Sequence, residues 1–142
     1  GIFNREGSIT ITGSTISDNT ADWYGGGIKS YRGSITITGS TVSRNSADRY
    51  DGGGICSYMD SITITGSTIS DNTADRYAGG ICFSYWTSGT LSIGGSSDPE
   101  KNTICGNYKI GEVLSLDQQI RDDSGSLYET YKDTNHISVY CD

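Results

Sequence analysis

Four kinds of side chain in this sequence could do chemistry, and three of them recur at one fixed interval. Asp22, Asp48 and Asp75 follow one another at 26 and then 27 residues, and Tyr24, Tyr50 and Tyr77 keep the same step. Thr10, Thr36 and Thr63 keep it too, as do Thr12, Thr38 and Thr65. A column of carboxylates repels itself unless something neutralises it. A hard cation such as calcium could do so on oxygen ligands. Arg49 and Arg76, each directly after an aspartate, offer ion pairs between neighbouring copies instead, and we adopt that reading; no metal is expected. Asp18, Arg44 and Asp71 alternate in sign at the same interval. The tyrosine row, with Trp23 beside its first member, could bind sugar rings or could stack on itself to shield a corner, which is the default. The fourth kind is cysteine: Cys56, Cys82, Cys105 and Cys141 contain no Cys-x-x-Cys, and with His136 the single histidine no Cys/His zinc site is expected.

Catalysis finds little support here. No nucleophile motif is present, and the carboxylates lie in regular columns, without the grouped carboxylates and bases of an active-site groove. The expectation is a protein that is not an enzyme and carries no cofactor.

The elements that position these columns follow from the interval itself. The run Gly7-Ser8-Ile9-Thr10-Ile11-Thr12-Gly13-Ser14-Thr15-Ile16 returns at Gly33 to Val42 and again at Ser61 to Ile69. A unit this short cannot bury a core of its own, so successive copies must stack. Within Ser8 to Thr12 the strict alternation predicts a half-buried strand with Ile9 and Ile11 inward and the threonines outward. Gly13 breaks the run before a second short strand through Ile16. An asparagine follows three residues later, as in Ile16/Asn19, Val42/Asn45, Ile69/Asn72 and Ile104/Asn107, where it can bond to its own turn and stack on its neighbours. Gly25-Gly26-Gly27-Ile28 supplies a third side with a tight corner. Three short strands per turn make one coil of a parallel β-helix: an all-β solenoid of about four coils with 26 to 27 residues in each. Stacking would set the two threonine columns on a grid of ~4.8 Å by ~6.8 Å.

The paired units Gly-Gly-x-Ile and Ile-x-x-Asn resemble the repeats of right-handed parallel β-helix surface proteins, in particular the chlamydial polymorphic outer-membrane type. Ile16, Val42, Ile69 and Ile104 stand where that type has Phe, and Gly27 or Gly54 where it has Ala. The resemblance covers residues 1 to 107. It implies a right-handed solenoid and a surface or extracellular role, in keeping with the general handedness of parallel crossovers. Separately, a regular Thr-x-Thr face is similar to the ice-binding face of insect antifreeze proteins. The six threonines Thr10, Thr12, Thr36, Thr38, Thr63 and Thr65 are the candidates for that activity.

Past the third copy the pattern decays. Leu91-Ser92-Ile93 replaces Ile-Thr-Ile, an insertion from Gly94 to Lys101 lengthens the path to Ile104, and the repeat stops at Asn107. Residues 108 to 142 are expected to form a separate cap or docking tail, with a short helix around Leu114 to Arg121 and a β-prone end from His136 to Tyr140. Four cysteines allow three pairings. Cys56 and Cys82 occupy one repeat position, where stacked Cα atoms come within disulfide range. That favours Cys56–Cys82 and, by elimination, Cys105–Cys141. The chain opens inside a unit at Gly1-Ile2, which reads as a processed product or a piece of a longer chain.

Composition bounds the partners. With 33% hydrophobic residues and 20 glycines in 142 positions, a thin solenoid core suits the chain better than a globule. A net charge of −7 argues against nucleic acid and anionic membranes. No apolar run is long enough to span a bilayer, and no Asn-x-Ser/Thr sequon is present. Disulfides and acidity point outside the cytoplasm. Unpaired strand edges at the first coil are a template for addition of another chain. The expected partner is the protein itself, with Gly1, Ile2, Phe3 and Asn4 of one copy meeting His136, Ile137, Ser138, Val139 and Tyr140 of the next; glycans are a second possible partner.

Overall fold

A computed structural model of the chain describes residues 1–59, 61–84, 89–122 and 125–141. The first turn holds β1 (Ile2–Asn4), β2 (Gly7–Thr12), β3 (Thr15–Ser17) and β4 (Thr20–Ala21). The second holds β5 (Ile28–Tyr31), β6 (Gly33–Thr38), β7 (Thr41–Ser43) and β8 (Ser46–Ala47), and the third β9 (Ile55–Tyr58), β10 (Ile62–Thr65), β11 (Thr68–Ser70) and β12 (Thr73–Ala74). Beyond them come β13 (Ile81–Ser84), β14 (Leu91–Ile93), β15 (Asn102–Cys105), β16 (Tyr108–Lys109), β17 (Ile120–Asp122), β18 (Gly125–Ser126) and β19 (Asn135–Ser138). Like strands stack in four sheets, ordered β1-β5-β9-β13-β17-β18, β14-β10-β6-β2, β19-β15-β11-β7-β3 and β16-β12-β8-β4. Among the described residues every pairing is parallel apart from that of β17 with β18. The result is a parallel β-solenoid, as the repeat predicts, of about three turns where the sequence pattern suggested about four coils.

Each turn has four strands, where the sequence pattern suggested three. The residue before each corner asparagine adopts a left-handed conformation, with φ of 59°, 53° and 55° at Asp18, Arg44 and Asp71 and 63° at Gly106. That bend splits off a two-residue strand into its own sheet. Two residues cannot display a period, which is why the pattern hid β4, β8, β12 and β16.

The core is a line of aliphatic columns. Ile28, Ile55, Ile81 and Ile120 stack on one side, Ile35, Ile62 and Ile37, Ile64 on another, and Val42, Ile69 and Ile104 on the third, all essentially sealed from solvent. Burial of one such isoleucine contributes roughly 2 kcal/mol. Ile9 and Ile16, at the first turn, are only partly covered.

The segment after Asn107 continues the sheets: β16, β17 and β19 pair in register with β12, β13 and β15. The helix expected over Leu114 to Arg121 is a single 3-10 turn at Leu116–Gln118, because Gln118 and Gln119 are drawn inward and Ile120 joins the core. Among the described residues the one α-helix, α1 (Tyr128–Tyr131), lies further on. The Tyr131 hydroxyl donates to the carbonyl of Leu91 at 2.7 Å, and Thr134 Oγ1 and Asn135 Nδ2 donate to the carbonyl of Ile93. The outer carbonyls of β14 are therefore satisfied by side chains of the tail.

The Cys105–Cys141 disulfide is present, with Cα atoms 5.2 Å apart. The Cys56–Cys82 bond is not: the two residues are register partners on β9 and β13, yet their sulfurs are not joined. In-register parallel neighbours project side by side at the strand spacing of ~4.8 Å, whereas a disulfide draws the Cβ atoms to ~3.8 Å. The ladder resists that pinch, while Cys141 lies beyond the end of β19 and can adjust.

Candidate functional site

Strict register turns every repeated side chain into a column. Thr10, Thr36 and Thr63 align across β2, β6 and β10, and so do Thr12, Thr38 and Thr65. None of these six hydroxyls bonds to another described residue, so the face presents its donors and acceptors to solvent. The grid decays at β14, where Ser92 follows Thr63.

Inside the corner, the expected asparagine stack is a directional ladder. The backbone N–H and Nδ2 of Asn19 both donate to Oδ1 of Asn45, those of Asn45 to Asn72, and those of Asn72 to Asn107, at 2.9–3.1 Å. Nδ2 of Asn45, Asn72 and Asn107 also donates backward, to the carbonyls of Ile16, Val42 and Ile69 respectively, and that of Asn19 donates to the Ser17 carbonyl within its own turn. Asn107 then passes the pattern to Gln119 Oε1, a member that the repeat does not announce. A second ladder was also missed. The amides of Ser14 and Ser40 donate to the hydroxyls of Ser40 and Ser67, Ser67 N–H donates to Asn102, and Asn102 to Asn135. The signal was the serine after the glycine in every Thr-Gly-Ser-Thr unit. These ladders satisfy buried polar groups at the bends and build the frame that holds the outer columns.

The aromatic edge differs from expectation in its partners. Trp23 stacks on Tyr50 with centroids 5.2 Å apart and ring planes 14° apart, and Tyr24 stacks on Tyr50 at 4.7 Å. Burial raises the Tyr24 phenol above its usual pKa. Burial and the neighbouring Cys56 and Cys82 push the Tyr58 phenol far up as well. Arg49 and Arg76 do not pair with the aspartate column. Arg49 lies over Trp23, Arg76 over Tyr50 and Tyr77, and Arg121 over Tyr77, at 4.9–5.6 Å. Surface ion pairs and exposed cation–π contacts are worth similar amounts, ~0.5–1 kcal/mol. With energies that close, the reach of each arginine to the preceding turn decides. Asp22, Asp48 and Asp75 stay exposed. The sign-alternating column behaves as expected where it meets Asp18: Arg44 grips that carboxylate with two nitrogens, at 2.8 and 2.9 Å, and their hydrogen bonds hold its pKa below the usual value. Among the described residues, no group of three His, Cys, Asp or Glu side chains is placed to hold a metal.

The residues expected to meet between copies lie at opposite ends of the solenoid and in different sheets. Ile2 to Asn4 form β1, with Phe3 64% exposed, and Gly1 donates its amino group to Asn19 Oδ1. His136 to Ser138 lie in β19, the last strand of another sheet, and Tyr140 beyond it is 66% exposed. Fold and columns together define a parallel β-solenoid protein with internal polar ladders. Comparison with protein-family models, with curated proteins and with solved structures finds no match. Among the described residues no helix is long and apolar enough to cross a membrane.

Proposed function

We propose that this chain is a non-catalytic structural module of an extracellular assembly, a filament, sheath or surface layer, built by end-to-end contact of β-solenoids. One observation carries the reading: β1, β2, β3 and β4 each bound a sheet at the same end, with Ile2 and Phe3 exposed beside them. A strand edge of this kind accepts another strand by main-chain pairing. At the other end β17 is covered by β18 and β14 by side chains, whereas β19 bounds its sheet. We assign the contact to Gly1–Asn4 of one copy and His136–Tyr140 of the next. Because these belong to different sheets, successive copies must rotate about the solenoid axis, and a heterologous contact that rotates without closing gives a helical filament. The Cys105–Cys141 disulfide is consistent with an oxidising compartment. The likeness of the repeats to right-handed surface proteins of the chlamydial polymorphic outer-membrane type points the same way. Negative-stain microscopy of the purified protein at high concentration should show filaments, and Phe3→Asp should abolish them without lowering the melting temperature. Monodisperse single particles from the unaltered protein would sink the reading.

A second reading rests on the threonine grid, whose six hydroxyls have no protein partner among the described residues. Such a face could order water in an ice-like array. Thermal hysteresis should then appear in the unaltered protein and vanish in Thr36→Lys/Thr38→Lys; its absence from the unaltered protein discards this reading.

A further inference from the structure

We propose that Cys56 and Cys82 form a two-thiolate site for a soft monovalent cation, Cu(I) or Ag(I), on the outer face of the sheet that holds β9 and β13. The two residues are register partners and both thiols are free. Ile55 and Ile81, one residue earlier on each strand, belong to the core. The alternation of a strand therefore sends both cysteines to the opposite face, side by side. The spacing that resists a disulfide suits a bridging ion. With metal–thiolate bonds of ~2.3 Å, a linear sulfur–metal–sulfur unit spans ~4.6 Å, close to the ~4.8 Å between neighbouring strands.

Ligand number and charge select the ion. Among the described residues no group of three His, Cys, Asp or Glu side chains is placed to hold a metal. Zinc seeks a tetrahedral set and calcium a larger oxygen shell. Two thiolates alone suit a soft ion that is content with linear coordination, and thiolate ligands favour Cu(I). Such a complex carries one net negative charge, and the register column brackets it with cations. Lys29 on β5 is the partner of Cys56, and Arg121 on β17 is the partner of Cys82. The column thus reads Lys29, Cys56, Cys82, Arg121.

The two sulfurs differ in access. Cys56 is sealed from solvent, with the Tyr58 phenol against its thiol and the Tyr24 ring edge-on to Tyr58 at 5.2 Å. Cys82 is half-buried and lines a cavity of about 170 Å³ together with Tyr77, Ala78, Arg121, Asp51 and Asp122. That volume holds a small ion and the waters it sheds. Two carboxylates against one guanidinium give the lining an excess of negative charge, which draws a cation in. Cys82 is thus the first ligand an entering ion meets, and Cys56 the second. On binding, both S–H bonds break, two sulfur–metal bonds form, and both protons leave to solvent.

The test uses the whole chain with its Cys105–Cys141 disulfide intact. Thiol titration should first find Cys56 and Cys82 reduced. Silver nitrate, and tetrakis(acetonitrile)copper(I) added without oxygen, should each load a single ion per chain in native mass spectrometry, with release of both thiol protons. Zinc chloride should load far more weakly. Cys82→Ser should weaken silver binding by more than the ~10–100-fold that loss of an outer-shell partner costs. Cys56→Ser should do the same, and unchanged far-UV circular dichroism will show that the variants fold. If the buried Cys56→Ser is misfolded, Cys82→Ser and Cys82→Ala decide alone. The proposal is overturned if the pair is already oxidised, if neither ion loads, if loading survives Cys82→Ser, or if zinc loads as readily as silver.

Discussion

Replacing Asn72 by alanine should cost about 3–5 kcal/mol of stability, which lowers the melting temperature by roughly 10 °C for a chain of this length. The side chain is fully buried and its amide is saturated. Its Oδ1 takes the backbone N–H and Nδ2 of Asn45, and its Nδ2 serves the carbonyl of Val42 and Oδ1 of Asn107. Alanine leaves two donors and one carbonyl without partners where water cannot reach them. Each such orphan costs ~1–3 kcal/mol, and the sum falls short of additive because neighbouring groups relax. Asn19→Ala is the control. Asn19 is partly exposed at the end of the ladder, so solvent replaces what is lost and the cost should stay near ~1 kcal/mol. Equal losses at the two positions in thermal or urea melts would mean that the ladder is not a stabilising element.

The second large effect is expected at Gly53. A Cβ built there would lie 2.0 Å from the Thr73 carbonyl oxygen and 2.6 Å from the Thr73 backbone nitrogen and carbonyl carbon. Thr73 belongs to β12, pinned between β8 and β16, so neither backbone can yield alone. Gly53→Ala should therefore exceed the usual overpacking cost and reach about 3 kcal/mol or more, or prevent folding. Gly39→Ala separates this clash from backbone strain. Gly39 has φ of 55° with nothing within 4 Å of the added carbon, so only the left-handed penalty of ~1 kcal/mol applies. Melting temperatures of the two variants should differ by several degrees in that order.

What the sequence disclosed, and what it hid, follows from how each feature is encoded. The inward isoleucines, the threonine columns and the corner asparagines are written as residue type at fixed spacing, and β2, β6 and β10 follow directly. Gln119 is written otherwise. It sits 12 residues after Asn107, less than half a repeat, and reaches the ladder because the chain takes a shorter path back to the sheet. Its membership is a property of position in space that no period reveals. The Cys56–Cys82 pairing failed for a related reason: shared register gives proximity, but a disulfide also needs a Cβ approach closer than a parallel ladder allows. On the aromatic edge, the place of Arg49 and Arg76 directly after aspartates suggested ion pairs, and their reach toward the preceding turn gave ring contacts.

The single disulfide also sets how the molecule would yield to a pull. A solenoid stretched from its two termini surrenders its turns one after another, because each is held only by its neighbours. The 36-residue span between Cys105 and Cys141 is closed covalently and cannot lengthen, so the extension released under load comes from the turns outside that loop. Each lost turn of 26 residues releases roughly 90 Å of extended chain. Under load the solenoid thus gives up length one turn at a time while the clasped loop keeps its own.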